Sequence, residues 1–484
     1  MNKPNIVLIM ADQFRGDCLG IAGHPDVKTP YLDSLAARGV RFSNAYTACP
    51  SCVPARAALL TGLTQRSHGR VGYQDRVTWN YEHTLAGELT KAGYYTQCVG
   101  KMHVHPLRNY MGFHHVELHD GYLHNYRYPE IAYYENQKIA DDYFYWLKNE
   151  KGIEADVIDT GVECNSWIAR PWIYEEKYHP TNWVVSRSID FLRRRDHSQP
   201  FFLKCSFVRP HAPFDAPKCY LDMYENKELT PPVIGDWADE ETYLTKGRVF
   251  DSDTGPVDKE LIRQMQVGYY ASITHMDHQV GRLVQALIEQ KLYNNTIIIF
   301  TADHGELLGD HHTYKKIRPY KGSINIPFIV SGPPELVKGG GETREAIVEL
   351  RDVLPTTLDI AGYDIPEAIE GQSVMPLIVD ENKQIRDYLH GEHSGGILSN
   401  QYIVTTIDKF IWFSQTGKEQ YFRLDKDPYE KYDLIEDKSC QERINELRNI
   451  MIKELEGREE GYSQDGSLVV GQKPTACLQH ILNH

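Results

Sequence analysis

The chain has 484 residues, with 52 Lys and Arg against 67 Asp and Glu, which sets the formal net charge at −15. A hydrophobic fraction of 41% and a charged fraction of 25% are ordinary for folded proteins and exclude a disordered, collagen-like or membrane-spanning chain. The acidic balance argues against nucleic acid or an anionic membrane surface as partner, but leaves room for a small anion held by a local cluster of cations.

In chain order, Met1-Asn2-Lys3-Pro4-Asn5 runs into the apolar Ile6–Met10. That run is short, lacks a small-residue cleavage site and reads as a buried strand rather than a signal peptide. Cytoplasm is the default compartment; the periplasm applies if the start was trimmed. Pro30–Arg38 has helical spacing. Thr84–Ala92 is helical and leads into the strand Tyr94–Val99, and the amphipathic Asn182–Arg195 leads into Phe201–Val208. Asp258–Gln290 carries a long helical pattern, Thr296–Thr301 follows as a strand, and Ile326–Val330 is another apolar run. Helices alternating with fully apolar strands predict an α/β fold, a large mostly parallel sheet sandwiched by helices. After about residue 380 the pattern becomes short, alternating and turn-rich (Tyr402–Ile407, Phe410–Phe413, Gln420–Leu424), then helical over Gln441–Glu456. The expectation is a catalytic α/β domain over 1–380 and a smaller α+β domain over 381–484, built on an antiparallel sheet. Residues 154–258 mix aromatics, Pro and charge, as pocket-building loops do.

Nine cysteines stand at 18, 49, 52, 98, 164, 205, 219, 440 and 477. The number is odd, and Cys49 and Cys52 form one CxxC with no second pair, which argues against a disulfide framework and against a zinc ribbon.

In open α/β sheets, ligands bind beyond the carboxyl ends of the strands. Four predicted strands are followed there by Asp12-Gln13, Gly100-Lys101-Met102-His103, Arg209-Pro210-His211 and Asp303-His304-Gly305. Singly, Asp12-Gln13 or Asp303-His304 also suits a helix cap. Together, carboxylate, amide, imidazole and ammonium at one rim predict a site for a metal and an anion. Asp12, Gln13, Asp303 and His304 would offer hard oxygen donors and one imidazole, a set that favours Ca²⁺ or Mg²⁺, with Mn²⁺ also fitting.

Cys52-Val53-Pro54-Ala55-Arg56 continues into Ala57-Ala58-Leu59-Leu60-Thr61-Gly62, and Pro54 with the Ala/Leu run reads as a helix start. Cys52 then lies at the helix N-terminus, where the dipole and free amides stabilise an anion, and Arg56 one turn in can pair with it. A half-buried structural thiol is the other reading of the same position.

The segment Cys52-x-Pro54-x-Arg56 followed by Thr61-Gly62 resembles the signature of the sulfatase family, in the alkaline-phosphatase-like superfamily. Asn5–Gln13 is similar to that family's opening strand, Gly100–His103 to its Gly-Lys-aromatic-His element with Met102 in the aromatic slot, and Pro210-His211-Ala212-Pro213 to its Pro-His-x-Pro element. Thr301–Gly305 with Lys316 and Tyr320–Ser323 resembles its last metal-and-lysine block, and Asp425–Leu434 its C-terminal Asp-Pro element. The match runs from about residue 4 to 434 and looks most like bacterial cysteine-type arylsulfatases.

The resemblance implies that Cys52 is converted to formylglycine by a maturation enzyme, whose hydrate attacks sulfur with one hydroxyl and expels sulfate with the other. It implies one divalent ion, usually Ca²⁺, on Asp12, Gln13, residue 52, Asp303 and His304. Arg56 and His103 would hold the hydroxyls, with His103 the base for the elimination; Lys101 and Lys316 would bind sulfate oxygens; His211 with Lys316 would protonate the leaving oxygen. The implied reaction is hydrolysis of an aryl or carbohydrate sulfate monoester. Three positions depart from the usual pattern: Gln13 where many members have Asp, His304 where many have Asn, and Ala55 where many have Ser. Gln with His also occurs in choline sulfatases and in phosphonate monoester hydrolases of this fold, so a phosphonate monoester or phosphodiester is the alternative substrate. An anion-binding protein with an unconverted Cys52 is a third reading, opposed by Lys101, His103, His211 and Lys316 standing together.

Overall fold

The structure, a computed structural model, describes residues 3–121, 131–238 and 258–482. Its first strand, β1 (Asn5–Asp12), is buried along its whole length, so it must be paired and covered on every side. In chain order there follow α1 (Pro30–Ala37), β2 (Gly39–Phe42), α2 (Cys52–Thr61), α3 (Leu85–Lys91), β3 (Tyr95–Gly100), β4 (His115–Leu118), α4 (Pro180–Arg194), β5 (Phe201–Pro210), α5 (Lys259–Glu289), β6 (Thr296–Ala302), β7 (Phe328–Ser331), β8 (Glu342–Arg344) and α6 (Val353–Ala361). The eight strands form one sheet in the order β4-β3-β5-β1-β6-β7-β2-β8. β1 pairs parallel with both β5 and β6, and β3 parallel with β4 and β5.

The expected α/β architecture is present, and its sheet is mostly parallel. β7, the Ile326–Val330 run, lies antiparallel to β6 and to β2. A parallel return would need a long crossover covering the sheet. The chain between Ala302 and Phe328 instead stays at the strand ends and carries His304, Glu306 and Lys316.

α1 and α4 each pack on α5 and against the sheet, and α2, α3 and α6 form a second packed set. The 31-residue α5 matches the expected Asp258–Gln290 segment, and Asp258 caps it through the Glu260 N–H at 2.9 Å.

Beyond residue 380 four strands, β9 (Leu389–His393), β10 (Asn400–Val404), β11 (Lys409–Phe413) and β12 (Glu419–Phe422), make an antiparallel meander with α7 (Gln441–Glu454) packed on it. The last three strands and the helix lie where the sequence pattern predicts. β9 does not announce itself, because Leu-His-Gly-Glu-His has too little apolar alternation. One apolar cluster joins the two parts: Leu389, Tyr402, Ile411 and Phe422 pack with Tyr46, Leu307 and Tyr320. Among the described residues no helix is long and apolar enough to cross a membrane.

Candidate active site

Register brings the strand ends level. Asp12 on β1 stands opposite Pro210 on β5, Ala11 opposite Ala302 on β6, and Gly100 on β3 opposite Ser206 on β5. The chain turns sharply just past these points, with Gln13 at φ 65°, Gly100 at φ 98° and His103 at φ 59°. A side chain at 100 would also collide with the Ser206 carbonyl, so only glycine fits. The Gln13 N–H is held by Asp303 Oδ1 at 3.0 Å, which ties two strand ends together.

α2 opens on Cys52 and closes at Gly62, which adopts φ 69°; all ten of its residues are buried. Cys52 Sγ lies 3.2 Å from His304 Nε2, 3.6 Å from Lys316 Nζ and 3.8 Å from Asp12 Oδ1. Arg56, one turn in, donates from Nε to Asp303 Oδ2 at 3.0 Å and from Nη1 to the Lys101 carbonyl at 3.0 Å and Ser206 Oγ at 3.2 Å. Its Nη2 is 2.9 Å from Asp303 and 3.5 Å from Asp12. Lys101 Nζ pairs with Asp12 Oδ2, and Lys316 Nζ donates to Gln13 Oε1 at 2.7 Å.

Ligand atoms of Asp12, Cys52, Asp303 and His304 all lie within 4.8 Å of one another, and all four residues are buried. Two carboxylates facing one another inside a protein call for positive charge. Lys101 and Arg56 supply part of it, and the donor set fits a divalent ion. His304 Nδ1 is engaged by the Gly305 carbonyl at 2.9 Å, which leaves Nε2 toward the cluster. Burial takes the His304 pKa down to about 4, so the imidazole is neutral and able to ligate. Burial alone would raise Asp12, but Lys101, then His211, Arg56 and Lys316, hold it well below the ordinary carboxylate range.

Residues 4–363 match the family described as Sulfatase, and residues 309–457 match the N-sulphoglucosamine sulphohydrolase C-terminal family. The chain belongs to the sulfatase family. It is a sulfuric ester hydrolase. It is 54% identical to an arylsulfatase of Clostridium perfringens over 99% of this chain and 100% of that protein. Among solved structures, a protein in complex with its substrate D-glucosamine-2-N,6-O-disulfate superposes at a TM-score of 0.75, with 21% identity over 94% of this chain and 98% of the other. The phosphonate monoester hydrolase of Agrobacterium radiobacter gives 0.76, with 23% identity over 93% and 95% of the two chains. At those identities the likeness is one of fold.

The other residues that the sequence singles out in this sulfatase fall into two groups. His211 belongs to the site: its N–H bonds the Asp12 carbonyl at 3.1 Å, its Nδ1 faces the Ala212 carbonyl at 2.7 Å, and burial, then the Lys316 charge, hold it well below the usual histidine range. His103 follows Lys101 on the same loop, with its ring 6.0 Å from that of Tyr73. His68 instead sits with Arg70 and Tyr81, and burial takes its pKa down to about 3. His311 packs on Trp237 at 4.7 Å and Tyr320 at 5.3 Å. Trp167 stacks on Tyr314 at 5.7 Å, so this part of the aromatic stretch is loop packing; of the Tyr126–Trp146 stretch, 126–130 lies outside the described residues. All nine cysteines are free.

Several site residues escape sequence reasoning. Glu306 accepts from Gln13 Nε2 and from the Lys315 N–H. Asp120 Oδ1 accepts the N–H groups of Met102 at 2.7 Å and His103 at 3.0 Å. His393, at the end of β9, is buried beside Glu392 and within electrostatic reach of His304 and Lys316; burial brings its pKa down to about 4. Glu306 could have been found by its place two residues beyond Asp303-His304; Asp120 and His393 carry no sequence signal.

Proposed function

We propose that this sulfatase hydrolyses sulfate monoesters of phenols or carbohydrates through a formylglycine made from Cys52, with one Ca²⁺ beside it. The observation that carries this is Cys52 itself: a buried side chain at the first residue of α2, set between Lys316, His304 and Asp12. A core thiol needs no such surroundings. Nor would the thiol serve: burial and then Asp12 push it up, so it stays protonated and weakly nucleophilic. A hydrated aldehyde supplies one hydroxyl to form the sulfate ester and a second to release it. Its installation requires a maturation enzyme as partner.

Asp12, Gln13, Asp303 and His304 would hold the ion with residue 52. When bound, it would polarise a hydroxyl and a sulfate oxygen. The oxygen-rich donors favour Ca²⁺, with Mg²⁺ and Mn²⁺ behind it. Lys101 and Lys316 offer their ammonium groups to the sulfate oxygens and offset charge that builds in transfer. Arg56 is anchored to Asp303 and the Lys101 carbonyl, and with His103 it orients the hydroxyls, His103 acting as base for the elimination. His211 is neutral at rest. An incoming anion favours proton uptake at its Nε2, since Nδ1 is engaged by Ala212, and His211 with Lys316 then protonates the leaving oxygen.

The test is mass spectrometry of the Cys52 peptide after co-expression with a maturation enzyme, alongside turnover of an aryl sulfate. The aldehyde form weighs about 18 Da less than the thiol, and activity should scale with its fraction. Full activity with an unmodified Cys52 overturns the reading.

A further inference from the structure

β5 is a central strand whose neighbours in sequence, Phe201, Phe202, Leu203, Cys205 and Phe207, are apolar and buried. In their midst stands Lys204, 1% exposed, opposite Leu8 on β1 and Cys98 on β3. No carboxylate pairs with it among the described residues. Its ammonium instead donates to the Lys101 carbonyl at 2.7 Å. A buried cation of this kind is costly, so its retention calls for a purpose.

We propose that Lys204 is a positioning residue for Lys101 and His103, pinning from beneath the loop that carries both of them. This rests on the roles given above to those two side chains. The loop leaves β3 through Gly100, and its hold is divided. The Lys101 N–H bonds the Ser206 carbonyl at 2.9 Å, and the next two N–H groups bond Asp120. The Lys101 carbonyl lies past the sheet ladder, and its donors are Lys204 and Arg56 Nη1 at 3.0 Å. Arg56 is shared with Asp303, Asp12 and Ser206, so Lys204 is the donor given to that carbonyl alone. By strand alternation Lys204 and Ser206 share a face, and both meet the Lys101–Arg56 pair. Burial brings the Lys204 ammonium down to about 8; Cys98, Asp120 and Asp303 favour its charge and Arg56 opposes it.

The experiment compares the full-length matured protein with Lys204→Met, which keeps the apolar stem and removes the donor. Conversion of Cys52 is first matched by peptide mass. Kinetics on an aryl sulfate should show kcat reduced at least about tenfold with KM within about threefold, because a displaced loop harms the transition state more than binding. Hydrogen exchange should quicken at the amides of 101–103 while β1 and β6 keep their protection. If Lys204→Met does not fold, Lys204→Gln carries the same comparison. The proposal falls if kcat stays within about twofold of the parent, or if exchange quickens across the whole sheet, which marks a merely structural lysine. The exchange measurement decides the point even if the parent proves inactive on sulfate esters, so the two failures are separable.

Discussion

In the function proposed above, position 52 concentrates the chemistry in one atom, and residue changes around it should separate nucleophile from proton donor. Cys52→Ala should abolish turnover on every ester while leaving thermal stability close to the parent, since a small apolar side chain suits that buried helix start. Lys316→Ala should act by leaving group: a loss of about 10²-fold on an alkyl sulfate, and much less on a nitrophenyl sulfate, whose leaving oxygen needs no proton. Equal losses on both would place Lys316 on the sulfate rather than at the leaving oxygen. The Gln13–His304 pair calls for one more comparison at this scale. A sulfate and a phosphonate ester of the same phenol, set in competition, should be resolved in favour of the sulfate. Nine of the ten residues expected at the site stand in compact motifs at a strand end or helix start, which is what made them candidates; Lys316 lies in the loop after β6 and was read only with the Asp303-His304 block. Asp120 and Lys204 act through partners 18 and 103 residues away, and pairing of that kind leaves no local pattern.

Among the elements, α1 and α5 are joined by one carboxyl group. Asp277 on α5 accepts the N–H of Leu32 at 2.7 Å and of Tyr31 at 3.2 Å, in the first turn of α1. Burial raises its pKa from 3.8 to about 7 despite those two bonds. The folded state therefore holds a proton that the unfolded chain has lost between about pH 4 and 7. Stability from this group is full below that window and is lost as pH rises through it, by roughly 4 kcal/mol in all. Urea unfolding of the parent and Asp277→Asn at pH 5 and pH 7.5 checks this: the variant should lose that share of the pH slope. At this scale the apolar runs of β1, β3, β5 and β6 were legible because central parallel strands are buried on both faces. The direction of β7 was not, because antiparallel return depends on what the connecting chain does rather than on the strand. The polar β9 was hidden because it earns its place by pairing with β10.

For the whole molecule, the net charge of −15 and the cationic site act at different ranges. Bulk charge repels an anionic ester from afar but is screened beyond about 8 Å at physiological salt, whereas the buried Lys101 and Arg56 and the half-buried Lys316 act at contact range. Raising salt from about 10 to 150 mM should hold or raise kcat/KM, and a steep fall would show that long-range attraction dominates. Adding Ca²⁺ to chelator-treated protein should raise its melting midpoint in a concentration-dependent way, because an ion bound only by the folded state shifts unfolding by mass action. Finally, α2 is wholly enclosed, and Cys52 is 4% exposed. An enzyme that must grasp 52–56 as extended chain has no way to do so once β1, β6 and α6 have closed around it. On the formylglycine reading proposed above, activation is a race between two clocks, folding and oxidation of one side chain. A molecule that folds first is locked out for as long as it remains native, so the yield of active enzyme should rise when folding is slowed, and folded thiol protein should stay unconverted when mixed with the maturation enzyme.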